Sequence, residues 1–255
     1  MNWQHLTMDV DGEVATLRLS RPPANLLDIP MMEELTDALV SLREHPALKV
    51  LVLRGSGGVF SEGIDLSEHA RDRAQRRLAV FLRIFELMRM TGVVTLAAVE
   101  GRASGAGFEL ALGCNLFVAA ETATFALPQI KLGLIPPVAS AILPRIAPRR
   151  RAMEWILTGN LISARRLEHD GVINRLFPED HFDSMLAGFV GELTGKSGPV
   201  LQLARRAQLE SYYGTFPDAL ASIQSLYLRE LIDLEDSQEG VRAAIEGRKP
   251  EWRNR

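Results

Sequence analysis

The feature with the clearest chemical meaning is a glutamate, Glu109, that follows a glycine-rich turn. The apolar run 93–99 predicts a buried strand, which leads into small residues at 101–107 and then into an apolar helix. Backbone N–H groups at the start of such a helix have no partner within it, and with the helix dipole they can hold an oxygen that becomes negative. A carboxylate among apolar residues is costly unless it is paired or used. Glu109 beside such donors therefore suits proton transfer next to a carbonyl.

A second turn of small residues, Val59–Leu66, follows the apolar run 48–53, which predicts another buried strand. Taken alone, this turn is as well explained as a simple connection between two elements. It gains functional meaning only together with 101–109 and with a third segment, Phe125–Gln129.

Length and composition limit what the chain can be. Its 255 residues, 47% of them hydrophobic and 24% charged, are typical of a soluble globular protein with one large domain, or a core domain and an appendage. A net charge of -3 gives no electrostatic argument for nucleic acid or an anionic membrane as partner. No apolar run approaches the roughly 20 residues of a membrane span, and the N-terminus lacks the pattern of a signal peptide. We therefore expect a cytoplasmic protein.

The thiol and imidazole side chains give no sign of a metal centre. Cys114 is the only cysteine, so no intrachain disulfide can form, and its position on the apolar side of the helix with Glu109 predicts a packed core thiol. The five histidines are scattered along the chain, with no two at helical ligand spacing. We expect no bound metal.

The elements that must position Glu109 follow from hydrophobic periodicity. Strands are predicted at 13–20, 48–53, 93–99 and 115–120, and helices at 28–42 and 71–90, the first with Asp28 as its N-cap. The pattern is mostly helical from about residue 145, and Gly195–Pro199 is the best candidate boundary. Strands with intervening helices, then a helical tail, indicate an α/β core over residues 1–195 and a helical C-terminal region over residues 196–255.

Three further motifs are better explained by structure than by chemistry. Gly191–Ser197 looks like a phosphate-binding loop, but it has one residue too few between the glycines and no preceding strand. Gly105–Gly107 lacks the third glycine of a dinucleotide-binding fingerprint. The arginines at 145 and 149–151 are most simply a solvated helix start, with a phosphate-bearing ligand or a subunit contact left open.

Several segments together resemble the crotonase (enoyl-CoA hydratase/isomerase) superfamily. The resemblance implies an α/β fold, namely a crotonase-like spiral of ββα units with a C-terminal helical trimerisation region. It also implies an acyl-CoA thioester as ligand, a homotrimer or a dimer of trimers, and no cofactor apart from the coenzyme A of the substrate. The similar segments, which preserve the family's spacing over nearly the whole chain, are Phe60–Leu66, Gly105–Ala111, Phe125–Gly133, Arg21–Leu27, Leu157–Gly159, Gly171–Arg175 and 239–252.

The resemblance also implies roles for individual residues. Two backbone N–H groups polarise the thioester carbonyl in this family, and on this sequence they are expected on Glu62 and Ala106. The Glu62 side chain would then either point to solvent or intrude on the coenzyme A channel. Hydratases of the family commonly carry two glutamates, of which the first matches Glu109. The second position holds Gln129, whose amide can orient water or a hydroxyl but cannot exchange a proton near pH 7.

The acyl group and its contacts are the least specified part of the prediction. Pro137 stiffens a loop that Val138 and Ala139 make apolar, which would suit a compact or cyclic acyl group. The stretch 25–34 also resembles the cyclohexa-1,5-diene-1-carbonyl-CoA hydratases. The residues expected to bind the substrate are Arg21, Ala24, Ser61, Gly63, Ile64, Asp65, Gly105, Pro136, Pro137 and Lys249.

The sequence thus predicts a CoA-thioester lyase that adds water to an enoyl- or dienoyl-CoA, or removes it. Glu109 would relay the proton and Gln129 would orient the water or hydroxyl. Two alternatives stay open. The first is an isomerase, because moving a double bond needs only one base. The second is a catalytically weak member of the family that binds acyl-CoA or RNA.

Overall fold

A six-stranded sheet forms the centre of the protein, seen in a computed structural model that describes residues 3–66, 71–212 and 214–255, without the side chains of 71 and 72. Its first two strands pair antiparallel and the remaining pairs are parallel. Parallel strands are covered on both faces, which is why the third and fourth strands read as continuous apolar runs. In spatial order the strands are β1 (Leu6–Asp11), β2 (Val14–Leu19), β3 (Val50–Gly55), β4 (Val94–Val99), β6 (Leu116–Ala120) and β9 (Arg175–Phe177).

A second sheet holds three short strands, β5 (Arg102–Ser104), β7 (Thr124–Ala126) and β8 (Ile162–Ser163). Both β5 and β7 follow a strand of the main sheet and lead towards a helix, α3 (Ala106–Gly113) or α4 (Pro137–Ile146). These are the repeated ββα units that the resemblance implies. The segment 60–64 joins this layer through an isolated bridge from Ser61 to Ala103, and a second isolated bridge pairs Ile64 with Leu27.

The other helices cover the sheets and form the C-terminal part of the chain. Asp28 caps the first helix, because its carboxylate accepts a hydrogen bond from the Met31 N–H at 2.9 Å, as predicted. A 3₁₀ turn at Pro128–Leu132 follows β7, and the loop expected at Pro137–Ala139 is instead the first turn of α4. The helices are α1 (Ile29–Ser41), α2 (Arg71–Met90), α5 (Arg149–Thr158), α6 (Ala164–His169), α7 (Phe182–Thr194), α8 (Gly198–Glu210), α9 (Phe216–Leu226) and α10 (Glu235–Glu246).

Two buried basic side chains fasten the C-terminal helices to the core. Nζ of Lys49 donates to two carbonyl oxygens of 194–196, just after α7, at 2.9 and 2.8 Å. Arg205 of α8 donates to Oδ1 of Asn115 at 2.7 Å and to carbonyl oxygens of 88–91 at the end of α2. Cations are favoured at the carboxyl end of a helix, so this contact holds α8 on the core. In the part of the chain described here, no helix is long and apolar enough to cross a membrane.

Candidate active site

Glu109 lies in α3 and is almost completely buried, with 1% of its surface exposed. The chain can turn from β5 into α3 within one residue because Gly105 has a φ of +52°, a conformation that glycine adopts without strain. Phe108 and Leu110, the neighbours of Glu109, are packed in the core with no exposed surface. The helix therefore cannot rotate to bring the carboxyl group to solvent.

The carboxyl group of Glu109 is held by the first turn of α4 and by Gln129. Its Oε1 accepts hydrogen bonds from the N–H groups of Val138 at 2.7 Å and Ala139 at 2.9 Å. Pro137, the first residue of α4, has no N–H to offer. The second oxygen, Oε2, accepts a hydrogen bond from Nε2 of Gln129 at 3.1 Å. One oxygen of the carboxylate is thus engaged by backbone, and among the described residues the other accepts a hydrogen bond only from Gln129.

Burial controls the protonation of this glutamate. Removal from water raises the pKa of Glu109 to about 7, although the three hydrogen bonds favour the charged form and act in the opposite direction. A group with a pKa near neutrality can both accept and return a proton at physiological pH. Glu109 therefore has the protonation behaviour expected of a general acid/base.

Gln129 presents a buried acceptor beside this carboxyl group. Its side chain lies over Gly105, where a Cβ atom would come within 3.6 Å of the Gln129 Nε2. While Nε2 donates to Glu109, the buried Oε1 has no hydrogen-bond partner among the described residues. An unpaired buried oxygen costs about 1–3 kcal/mol, so it marks a place where a hydroxyl or water donor would be stabilised.

The structure corrects one of the two expected oxyanion donors. The N–H of Glu62 donates to the carbonyl oxygen of Ala24 at 2.9 Å, so it is already used. The carbonyl oxygen of Gly63 accepts from the N–H of Leu27 at 2.7 Å. Because a trans peptide holds its C=O and N–H in opposite directions, the N–H of Ile64 points away from Leu27. It has no partner among the described residues, and it is the available donor of this turn.

The residue before Ile64, Gly63, closely approaches the start of α3, where the second expected donor lies. Ala106 is the first residue of that helix, so its N–H has no intrahelical acceptor. A Cβ atom placed on Gly63 would lie 3.4 Å from the Ala106 nitrogen, which shows how closely the two segments approach. The segments that carry the N–H groups of Ile64 and Ala106 thus border one narrow gap, and Glu109 follows Ala106 by about one helical turn.

Other residues expected at the site have structural roles. The Glu62 side chain pairs with Arg102 at 3.1 Å on the surface, so it points to solvent and not into a channel. Arg21 pairs with Asp28 at 3.2 Å and with Asp65 at 3.0 Å, which engages the guanidinium group within the protein.

One further expectation about ligand contact also changes. Ser61 has no exposed surface and both hydrogen bonds of its hydroxyl run to backbone, so its side chain cannot contact a ligand. Lys249 is an exposed residue after α10, and its expected contact with coenzyme A stays a prediction. By contrast, Gly63 and Gly105 adjoin the gap, and Pro136 and Pro137 open the helix that holds Glu109.

No sequence signal pointed to the two α4 amides that hold Glu109, because every residue except proline carries an N–H group. Cys114 is partly buried and packs against the core, and burial raises the pKa of its thiol to about 12, which agrees with the predicted core thiol. Among the described residues, no cluster of three or more histidine, cysteine, aspartate or glutamate side chains is arranged to hold a metal ion.

Known proteins match this chain over nearly its whole length. A family model described as enoyl-CoA hydratase/isomerase matches residues 9–255. A Rhizobium meliloti protein named "Probable enoyl-CoA hydratase" is 33% identical over 258 residues, which is 100% of both chains. Cyclohexa-1,5-dienecarbonyl-CoA hydratase of Thauera aromatica is 32% identical over 248 residues, covering 97% of this chain and 96% of that protein. The crystal structure of an enoyl-CoA hydratase from Mycobacterium smegmatis superposes with a TM-score of 0.93 at 28% identity, covering 97% and 98% of the two chains.

Proposed function

The chain belongs to the enoyl-CoA hydratase/isomerase family, and from this premise we propose that it is an acyl-CoA thioester lyase acting on an enoyl- or dienoyl-CoA. The reaction adds water across the double bond conjugated to the thioester, or removes it. The observation that carries this proposal is the buried pair of Glu109 and Gln129, in which one group exchanges protons and the other presents an unpaired acceptor.

The two backbone amides stabilise charge on the thioester oxygen. In this proposal the N–H groups of Ile64 and Ala106 donate to that oxygen, which becomes an enolate oxygen when the β-carbon is attacked. Removing one such donor typically costs about 3 kcal/mol of barrier stabilisation. Because the thioester carbonyl itself acidifies the α-carbon, no separate cofactor is needed.

Glu109 and Gln129 handle the water. Oε1 of Gln129 accepts a hydrogen bond from the water, and ionised Glu109 takes a proton from it through Oε2 as the oxygen bonds to the β-carbon. The protonated Glu109 then delivers this proton to the α-carbon as the enolate collapses. Dehydration is the same sequence in reverse, and a pKa of about 7 suits both directions.

The acyl group is proposed to be compact, and a cyclic dienoyl group is the leading candidate. The Thauera aromatica relative is named for such a substrate and matches 97% of this chain. One wall beside Glu109 is formed by the start of α4, where Pro137 fixes the backbone and Val138 and Ala139 are buried and apolar. A rigid apolar wall favours a flat, compact group over a long flexible chain.

Double-bond isomerisation is the second candidate. It is favoured by the neutral Gln129 beside Glu109, since one proton-exchanging group is enough to move a proton between two carbons of the acyl group. Isomerisation involves no water or hydroxyl, so an isomerase would not need the unpaired Oε1 of Gln129 as an acceptor. We therefore favour hydration over isomerisation.

Oxygen labelling separates the two. Crotonyl-CoA and cyclohexa-1,5-diene-1-carbonyl-CoA are incubated with the enzyme in ¹⁸O-water, and products are followed by mass spectrometry, with Glu109→Gln as the control. We expect label in the cyclic product and its loss in the control. A product of unchanged mass with a shifted double bond would make the protein an isomerase. No reaction with either thioester, with acyl-CoA still bound, would contradict catalysis of this class.

We also propose that the chain assembles as a trimer, or a dimer of trimers, through its C-terminal region, with the division between the two regions at residues 195 and 196. Large apolar side chains are exposed on α9, on the turn that follows it and on α10, and such surfaces are typical of interfaces. We name these side chains the C-terminal apolar surface; they are Phe216, Leu220, Tyr227, Leu228, Val241 and Ile245.

Sedimentation equilibrium tests this assembly. We expect a mass of three or six chains of 28.2 kDa, reduced by Ile245→Lys, because Ile245 is 82% exposed in the single chain and its loss leaves no core cavity. Val40→Lys, at an exposed valine of α1, serves as the matched control and should leave the mass unchanged. A wild-type protein with the mass of one chain would contradict the proposal.

A further inference from the structure

Ser61 occupies a buried position between the two halves of the proposed oxyanion site. Its backbone bridges to β5, where its carbonyl oxygen accepts from the N–H of Ser104 at 2.9 Å. Its hydroxyl donates to the carbonyl oxygen of Asn25 at 2.8 Å and accepts from the N–H of Gly63 at 3.2 Å. The residue has no exposed surface, so its hydroxyl acts wholly within the protein.

Asn25, whose carbonyl oxygen accepts the hydrogen bond from the Ser61 hydroxyl, is itself held firmly in place. It is fully buried, and its φ of +47° is a left-handed conformation that is uncommon for a side-chain-bearing residue. Its Nδ2 donates to the carbonyl oxygens of Ser56 at 2.9 Å and Val59 at 2.7 Å, and its Oδ1 accepts from the N–H of Arg21 at 2.9 Å. These hydrogen bonds offset the conformational strain and hold the loop that leads into Ser61.

The peptide groups on either side of Gly63 are fixed by this network. Gly63 has a φ of +103°, so the turn depends on glycine. The Ser61 hydroxyl holds the N–H of Gly63, and Leu27 holds its carbonyl oxygen. That carbonyl shares a planar peptide group with the N–H of Ile64, so whatever holds Gly63 also sets the direction of the Ile64 amide.

We propose that the Ser61 hydroxyl is a positioning group that aims the Ile64 amide at the thioester oxygen. It links the Asn25 loop to Gly63 and thereby sets how strongly the site polarises the substrate carbonyl. This inference rests on the proposed function, because it needs an acyl-CoA carbonyl at the Ile64 and Ala106 amides. Ser61 acts through Ile64 and does not touch the substrate.

The test compares Ser61→Ala with the wild-type enzyme by kinetics and by infrared spectroscopy. The probes are butyryl-CoA and cyclohexanecarbonyl-CoA labelled with ¹³C at the thioester carbon, which are saturated and cannot be hydrated. Bound to the wild type, the carbonyl stretch should move to lower frequency. In Ser61→Ala we expect a smaller displacement of the carbonyl stretch. We also expect kcat to fall roughly tenfold to a hundredfold, which is no more than the effect of removing one full donor. KM should be nearly unchanged.

Ser41→Ala is the matched control, because Ser41 is also a buried serine, its hydroxyl donates to the Ala38 carbonyl at 2.9 Å within α1, and it is no part of the site. It should keep the wild-type kcat and carbonyl frequency. Should Ser61→Ala not fold, Ser61→Cys replaces the hydroxyl by a weaker hydrogen-bonding group, and an intermediate loss of carbonyl displacement is expected.

Two results would overturn the inference. A wild-type carbonyl displacement and kcat in a folded Ser61 variant would show that the hydroxyl does not aim the amide. No displacement with either thioester in the wild type would instead contradict the proposed function, and the inference would fail with it. The two failures are distinct, because only the second appears in the unmutated enzyme.

Discussion

Replacing Glu109 with glutamine is expected to lower turnover by about 10²–10⁴-fold, the range typical of a lost general acid/base. Glutamine has the same shape, and its side-chain oxygen can still accept the hydrogen bonds that Val138 and Ala139 donate to Oε1. The proton-exchanging oxygen becomes an amide nitrogen, which cannot take a proton near pH 7. The measurement is kcat with whichever labelled thioester the wild type converts.

Binding and fold should survive this change. Dissociation constants for the saturated acyl-CoA should stay within a few-fold of the wild type, because the carbonyl donors are backbone groups. Glu86→Gln, at an exposed glutamate of α2 paired with Arg83 at 2.9 Å, is the control and should keep full activity. A Glu109→Gln enzyme with more than a tenth of the wild-type kcat would remove Glu109 from the mechanism.

The same variant has a predictable effect on stability. Burial raises the pKa of Glu109 from 4.5 to about 7, so the folded state binds a proton more tightly than the unfolded state. The contribution of Glu109 to the stability of the folded state is therefore fully present below about pH 4.5 and is lost as the pH rises through 7. One pKa unit is about 1.4 kcal/mol, so the stability advantage of Glu109→Gln should grow by about 2–3 kcal/mol between pH 5 and pH 9.

Chemical denaturation at the two pH values measures this difference. The wild type should lose stability relative to the variant as the pH rises, because only the wild type must ionise a buried carboxyl group. An advantage that is equal at both pH values would mean that the pKa of Glu109 is close to that of an exposed glutamate. The catalytic argument from burial would then be wrong.

Gly107→Ala is expected to destabilise the protein by several kcal/mol and to abolish most activity. A Cβ atom at this position would lie 2.3 Å from the carbonyl oxygen of Ser61 and 2.6 Å from its Cβ. That carbonyl is held by the N–H of Ser104, so it cannot move aside freely. Overpacking in a tight core typically costs about 1–3 kcal/mol and occasionally more, and here the strain falls on both oxyanion segments.

Gly188→Ala in α7 is the matched control, because a Cβ atom there meets nothing within 4 Å. Alanine in place of glycine inside a helix stabilises by about 0.5–1 kcal/mol, so this variant should unfold at a slightly higher denaturant concentration than the wild type. Equal stabilities and activities for the two variants would contradict the close approach of α3 to Ser61.

The sequence predicted the parts of the site that depend on side-chain chemistry. Glu109 was identified because a carboxylate among apolar residues is unusual. Ala106 was expected from the family resemblance, at a helix start that leaves N–H groups free. The long elements were predicted for the same kind of reason, since twenty residues of helical periodicity at 71–90 give a strong signal.

The parts that depend on backbone partners could not be predicted. The turn 60–66 contains several amides, and only the structure shows that Glu62 donates to Ala24 while Ile64 is left available. The strands of the second sheet have two or three residues each, too short for an alternating pattern to be recognised. The hydrogen bonds from α4 to Glu109 depend on a contact between two segments that are far apart in the sequence. Local periodicity carries no information about such a contact.

The contact between Glu109 and Gln129 also has an evolutionary consequence. Both glutamine codons become glutamate codons by a change of one base, so this site is one mutation away from carrying two carboxylates. Glu109 would keep its two α4 amides through that change, because they bind the other oxygen. A substitution at position 129 could therefore change which reaction is catalysed, while the backbone amides proposed to bind the carbonyl oxygen stay in place.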